Sequence, residues 1–437
     1  MSAVKHSFGN LATKLAIYPI SFISSIIVAR VLGPEQRGVF NYLLISVTFI
    51  IPIFSFGFGS GVIYYVSSKK YLPKDIFYSV VLISVIISST ICLLLLLLKQ
   101  LNLLGTIGNQ LGVFEFTGLL LCIILNFIFF FLTRILIGVS NFKNINLLTL
   151  FQGLLNPILL LILVGFFGMK LYGAVISMVV VNILATVSII FIFLKNYNLV
   201  NKFDFDFVKD TFSYGIKSWL GDVAIQANVR LDQVVLGAIS KPSSLGIYSI
   251  SVFLAELLWL IPDAVGPVLF NKITGIKSIE GQENLTKRIS RILLFIGTVS
   301  SFFLIIFVCY IIIPFGYGDE YSESIVPFLI LIPGTICYIL AKVITKILSG
   351  TGNIAMTSKA TVSGSIISIL FYIILIPRFD IVGAAIASSI GYISISLICL
   401  YFFKYKLKLT LKNLFVISKE DLIWMYSFKE KLSIKNI

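Results

Sequence analysis

The chain of 437 residues is 58% hydrophobic and 12% charged, with a mean hydropathy of +1.04. Soluble domains carry about 25% charged residues, and a chain this poor in charge cannot clothe two or three of them in a polar surface. The apolar excess has to face lipid, which excludes a soluble enzyme or binding module and leaves a polytopic membrane protein.

Lys and Arg number 34 against 19 Asp and Glu, a net charge of +15. On a soluble protein that balance would suggest nucleic acid. Here it is the positive-inside bias of a membrane chain, and no nucleic-acid partner is expected. Cys92, Cys122, Cys309, Cys337 and Cys399 all sit in apolar runs without the close spacing of a zinc or redox motif, so they read as reduced packing residues. The single histidine, His6, cannot build a metal cluster or a His-based catalytic triad. No metal, cofactor or catalytic residue is expected.

A bilayer core of about 30 Å needs roughly 20 mainly apolar residues per helix. Twelve such runs follow one another: about Leu11–Val31, Val39–Val66, Ile76–Leu98, Phe114–Val139, Ile145–Gly165 and Leu171–Leu194, then about Phe212–Ile239, Leu245–Phe270, Ile289–Ile313, Ile325–Leu348, Ala360–Ile376 and Val382–Phe403. Their length and lack of alternating polarity specify helices rather than a barrel. The first run has no small-residue cleavage pattern and is interrupted by Lys14, so it reads as a span and not a signal peptide. Among the connections, Arg37, Lys99, Lys170, Lys241 and Arg378 fall on one side of the membrane. The far more numerous remainder, including eight from Lys404 to Lys435, share the side of the termini, which predicts a multi-pass bacterial plasma-membrane protein with both ends cytoplasmic. The basic segment Lys404–Lys412 reads as a juxtamembrane anchor.

A six-span unit recurs. Pro34-Glu-Gln-Arg-Gly38-Val-Phe40 matches Pro242-Ser-Ser-Leu-Gly246-Ile-Tyr248, and Arg134-Ile-Leu-Ile-Gly138 matches Lys346-Ile-Leu-Ser-Gly350. Gly173-Ala174 matches Gly383-Ala384 in the same order. An even number of spans per unit makes the halves parallel, the arrangement of transporters that rock two bundles about a central cavity. The expected division is residues 1–200 and 201–410 as two six-helix bundles, with 411–437 a basic cytoplasmic tail.

The stretch Val28-Ala-Arg30-Val-Leu-Gly33-Pro34-Glu-Gln-Arg37-Gly38-Val-Phe40 resembles the first-span exit of the polysaccharide-unit (Wzx-type) flippases, the O-antigen and capsule exporters of the multidrug/oligosaccharidyl-lipid/polysaccharide (MOP) superfamily. Tyr214-Gly215 through Leu231-Asp232-Gln233-Val-Val-Leu236-Gly237, then Gly246-Ile-Tyr248-Ser249, resembles their seventh span. The resemblance covers essentially the whole chain. It implies an all-α MOP/MATE-like fold of about twelve transmembrane helices around a central cavity. It also implies a flippase that moves undecaprenyl-diphosphate-linked oligosaccharide units to the outer leaflet, for O-antigen, lipopolysaccharide or capsule synthesis.

Charges within a bilayer are costly and should face a cavity or one another. Lys14, Tyr18, Ser21 and Ser25 form one stripe on span one, with Arg30 near its outer end. Span seven is polar on two sides. Asp222, Gln226, Arg230 and Gln233 make one stripe, and Lys217, Gly221, Asn228 and Asp232 the other, which predicts a place between the bundles. Lys14, Arg30, Lys217 and Arg230 are the candidate phosphate contacts, since Arg offers a planar fork and Lys a mobile point charge. Arg134, Lys342 and Lys346 are second-rank candidates that snorkelling to the interface would equally explain. Tyr18, Ser21, Ser25, Gln226 and Asn228 are candidates for sugar hydroxyls. Asp222, Asp232, Glu256 and Asp263 are candidates for H+ or Na+ coupling. The structural alternative for span seven is an Arg230–Asp222 or Lys217–Asp pair.

Pro262 and Pro267 are expected to break span eight near its cytoplasmic end. Lys272–Arg291 reads as a short interfacial helix, and Asp319, Glu320 and Glu323 as a capping turn. A drug/cation antiporter of the same superfamily and a membrane-embedded polysaccharide polymerase are the competing functions. Short outer connections count against the polymerase, and the basic lean of spans one and seven against the antiporter. The expected partners are the lipid-linked oligosaccharide, membrane lipids and the polymerase and chain-length machinery, with the chain acting as a monomer.

Overall fold

The computed structural model describes residues 2–276, 278–407 and 421; side chains are described from residue 17 onward, except at 267, 268, 271, 279, 354, 406 and 407. The Lys14 side chain, and the tail from 411 onward apart from Asp421, lie outside the described residues. Every regular element among the described residues is helical.

In chain order these are α1 (Ser2–Phe54), α2 (Phe58–Ser67), α3 (Pro73–Gln100), α4 (Gly105–Gln110), α5 (Val113–Gly138), α6 (Phe142–Leu160) and α7 (Lys170–Asn196). Then come α8 (Phe205–Ile239), α9 (Pro242–Glu256), α10 (Leu260–Thr274), α11 (Ile279–Phe307), α12 (Ile325–Gly350) and α13 (Ile354–Leu407). Local chemistry sets several ends. Asp204 caps α8 by accepting from the Phe207 amide at 2.9 Å, and Pro73 and Pro242 open α3 and α9, where a missing amide hydrogen costs nothing. Single non-helical residues, Gly33 and Asp380, divide α1 and α13. Beyond α6 and α11 the chain widens into π-helical turns at Leu161–Phe166 and Val308–Tyr317.

Nine helices among the described residues are long and apolar enough to cross a membrane, so the chain is an all-α polytopic membrane protein. The polar α8 is not one of them, although it is 35 residues long.

Two expectations need correction. The break in span eight precedes both prolines, at a single 3₁₀ turn, Leu257–Trp259; α10 then runs on to Thr274. Pro262 is tolerated because it occupies the first turn of α10, where the amide has no helical partner. Nor is Lys272–Arg291 a separate interfacial helix: α11 starts at Ile279, capped by Ser278, and continues without interruption to Phe307. Asp319–Ser324 forms a 3₁₀ turn ahead of α12.

Buried apolar side chains gather in two clusters. One contains Leu43, Phe58, Ile76, Phe127, Phe193 and Phe207; the other contains Leu236, Tyr248, Phe328, Ile344, Tyr372 and Phe403. The first-turn residues Phe207 and Val208 of α8 belong to the first and Leu236 to the second, so this helix ties the two together.

Lipid tails are as apolar as Leu, so helices in a bilayer associate through close packing of small residues and through polar contacts. Both are present where the repeated motifs meet. A Cβ at Gly38 would run into the Pro242 carbonyl, and one at Gly246 into the Pro34 carbonyl. Gly57 and Gly215 make a second reciprocal approach, each backbone filling the space a Cβ on the other would need.

Candidate functional site

The two polar stripes of α8 face different neighbours. On the first, Asp222 accepts from Ser60 Oγ at 3.3 Å, Gln226 donates to the Thr48 carbonyl at 3.2 Å, and Gln233 accepts from Asn41 at 2.9 Å. All three partners lie on α1 and α2. On the second, Asn228 donates to Ser365 at 3.1 Å and Gly221 packs near Ser358, both on α13. Fully buried Asp232 accepts from Tyr248 at 2.7 Å and Ser388 at 3.1 Å. The helix is polar on both sides because it has a polar neighbour on both sides.

Arg230 does not pair with Asp222. Its guanidinium makes a bidentate pair with Glu256 at 2.7 and 3.2 Å, because the end of α9 brings that carboxylate beside α8 while Asp222 turns to Ser60. No Lys217–Asp pair forms; Lys217 is exposed and has no ion-pair partner among the described residues. Lys342 pairs with Asp263 at 2.7 Å and lies 4.6 Å from the Trp259 ring centroid, while Lys346 is exposed beside Gly266. Tyr18 reaches this region from α1, within electrostatic range of Asp263, Glu256 and Arg230.

Arg134 is different. It stacks on the Phe130 ring, 4.2 Å from its centroid, and has no hydrogen bond or ion pair among the described residues. It shares a cleft with Ser55, Gly57, Ser60 and Asp222. A second cleft lies between α1 and α6, lined by Ser21, Ser24, Ser25, Arg37, Asn41 and Asn156. Ser24 is buried with its hydroxyl unpartnered there.

Arg30 sits apart from both clefts. Its guanidinium donates to the Phe315 and Gly316 carbonyls, which the π-helical turns after α11 leave without helical partners. Beside it, Ser25 bonds to Tyr317 at 3.0 Å and Tyr321 donates to the Ala29 carbonyl at 2.9 Å. Together with the Gly38–Pro242 approach these contacts hold the first half of the chain against the second at one end.

At the end where α2 meets the start of α8, Lys70 pairs with Asp210 and lies 5.2 and 5.3 Å from the Tyr65 and Tyr71 ring centroids. The hydrogen bond from Lys70 holds the Asp210 carboxyl below the usual carboxylate range. Ser60, Ser24, Tyr317 and Tyr321 were not singled out from the sequence. A lone hydroxyl on an apolar helix carries no signal until its neighbour is known. No group of three or more His, Cys, Asp or Glu among the described residues could hold a metal ion.

Residues 3–266, more than half the chain, match the family model described as polysaccharide biosynthesis protein. The chain belongs to that family. The resemblance read from Val28–Phe40 and the seventh span is thus borne out at the family level. The chain is 23% identical over 396 residues to the capsular polysaccharide biosynthesis protein CapF of Staphylococcus aureus, spanning 87% of this chain and 94% of the relative.

Among solved structures, an inward-facing multidrug resistance MATE family transporter of the MOP superfamily superposes with a TM-score of 0.73 at 14% identity, covering 92% of this chain and 98% of that one. The lipid II flippase MurJ in an inward closed conformation gives 0.74 at 18% identity, covering 96% and 92%. The fold is that of the MOP superfamily.

Proposed function

We propose that the chain is a flippase that carries diphosphate-linked, polyprenyl-anchored oligosaccharide units from the cytoplasmic to the outer leaflet, for assembly of a surface polysaccharide. The observation that carries this reading is the polar seam that α8 forms with its neighbours. Asp222 shares a cleft there with Arg134 and Ser60, and Arg230 pairs with Glu256, while Lys342 on α12 pairs with Asp263 on α10 and Arg30 joins α1 to the turns after α11. A seam with both charge signs and many hydroxyls suits a cargo of phosphates and sugars better than a purely apolar drug.

Helices α1 and α13 support a count of twelve crossings. At 1.5 Å per residue, either is far longer than a membrane core of about 30 Å, and Gly33 and Asp380 mark where each would turn back. Adding α8 to the remaining long helices gives six crossings in residues 1–200 and six in 201–410. With both termini cytoplasmic, the Arg30 closure lies outside and the Lys70–Asp210 pair inside. Tyr18, Ser21, Ser25 and Gln226 serve sugar hydroxyls. Lys14, Arg134, Arg230, Lys217, Lys342 and Lys346 serve phosphates, and Asp222, Glu256 and Asp263 couple movement to H+ or Na+. Asn228 and Asp232 hold α8 to α13, and Arg30 acts in closure. A polysaccharide polymerase and chain-length machinery receive the product, and one chain suffices as the working unit.

The test is depletion of the protein in its host, with mass spectrometry of polyprenyl-linked sugars. Complete diphosphate-linked units should accumulate on the cytoplasmic face while surface polysaccharide falls. Unpolymerised units on the outer face would instead establish a polymerase, and an unchanged lipid pool would establish an antiporter with another cargo.

A further inference from the structure

Arg134 stands out from the other arginines along the seam because no acceptor among the described residues holds it. Arg230 is held by Glu256 and Arg30 by two carbonyls, whereas Arg134 has its planar face on Phe130 and no acceptor among the described residues. Arg134 is half-buried, and none of its nitrogens is both buried and unpartnered, so its N–H donors open into the cleft. A planar fork left open there is placed to take an acceptor that enters from outside.

The cleft around it is shaped for a compact anion. Gly59 lets the Arg134 stem lie against the α2 backbone: a Cβ there would stand 3.2 Å from its Cγ and 3.3 Å from its Nε. Ser55 and Ser60 line the same cleft with hydroxyls, and Gly57, in a left-handed conformation between α1 and α2, lines it with backbone. Among the described residues Asp222 is the one acidic side chain lining it; its carboxylate is within electrostatic range of Arg134 yet bonded to Ser60, with no ion pair between the two.

We infer that the Arg134 cleft is the receptor for a phosphate or diphosphate group, with Asp222 an internal competitor that takes up the field of Arg134 when the cleft is empty. For its cargo this rests on the flippase reading above; for its chemistry it rests on the unpaired guanidinium. The two partners ride on different elements. Arg134 belongs to α5, in the first apolar cluster, while Asp222 belongs to α8, which reaches into the second. A shift of α8 against α5 changes how much of the Arg134 field Asp222 answers, and so how firmly a phosphate is held.

The experiment is calorimetric titration of the purified full chain with inorganic pyrophosphate and, separately, with farnesyl diphosphate, at constant ionic strength. Pyrophosphate should bind, Arg134→Gln should weaken it roughly tenfold or more, and Asp222→Asn should tighten it several-fold, the order expected for one charge-assisted contact. Arg134→Lys keeps the charge and loses the fork, so it should fall in between and serves if the Gln variant does not fold. Tighter, Arg134-dependent binding of farnesyl diphosphate identifies a lipid headgroup as the source. Arg134-dependent binding of pyrophosphate alone identifies a free phosphate.

Unchanged binding by the folded Arg134 variants, or loss on Arg230→Gln instead, overturns the site and leaves the flippase reading standing. That reading fails separately, on an unchanged lipid-linked pool after depletion.

Discussion

At the scale of single residues, burial decides which charges must be answered internally. Arg230 and Glu256 retain only 29% and 22% of their side-chain exposure, so removing either leaves a poorly solvated partner. A double-mutant cycle of Arg230→Ala and Glu256→Ala should give a coupling of roughly 1–3 kcal/mol in thermal or denaturant unfolding, the range for partners in contact. On the flippase reading, which makes Arg230 a phosphate contact, Arg230→Ala should also abolish export at normal protein levels. Additive single effects would remove the pair from the account, and full export by that variant would remove Arg230 from the cargo contacts. Pairing of this kind was only half legible in the sequence. Helical spacing put Asp222 and Arg230 on one face of α8, and that much holds. The partner of Arg230 is 26 residues away on the next helix, where no periodicity within α8 could point.

At the scale of elements, the chain was legible wherever apolar length alone decides. Runs such as Ile76–Leu98 and Phe114–Val139 sit inside α3 and α5 because a bilayer imposes one helix length on all of them. Irregular points were less legible. Proline suggested a break at Pro262, but the break falls at Leu257–Trp259, since proline in a first turn replaces an amide that has no partner anyway. Small residues carried more information than proline did. The repeated Pro-x-x-x-Gly motif marks the two backbones that touch, Gly38 against Pro242 and Gly246 against Pro34. Gly246→Ala and Gly215→Ala should each destabilise the protein by about 2 kcal/mol or more, the scale of an overpacked interface with no flexible side chain to yield. Gly275→Ala should be neutral within about 0.5 kcal/mol, because its nearest neighbour would be a carbonyl 3.6 Å away. Equal melting temperatures for all three would mean that the helices separate readily at both seams.

At the scale of the whole molecule, the polar contacts divide between the two ends of α1. Around Arg30, four hydrogen bonds from Ser25, Arg30 and Tyr321 bind the first half to the turns on either side of Gly318. Toward the other end, Arg230–Glu256 and Lys342–Asp263 join within a half, and Lys70–Asp210 with Tyr71–Asp210 joins one half to the other. On the flippase reading proposed above, in which the Arg30 end faces outward, a molecule that alternates between two openings has to break the first set to expose its cavity there, so those bonds contribute directly to the balance between states. Arg30 supplies two of the four. It is exposed, so its bonds are worth the low end of the charge-assisted range, about 1.5 kcal/mol, which corresponds to about a tenfold change in the two-state ratio. Ser21 lies on α1 nine residues before Arg30, and Ser21→Cys in a chain whose five native cysteines are replaced reports on the opening of this end. In intact cells, a membrane-impermeant maleimide added outside should label that cysteine slowly, and adding Arg30→Ala should speed the labelling by about tenfold. Unaltered labelling would mean that the Ser25–Tyr317 and Tyr321–Ala29 bonds and the glycine–proline crossing hold that end shut without Arg30.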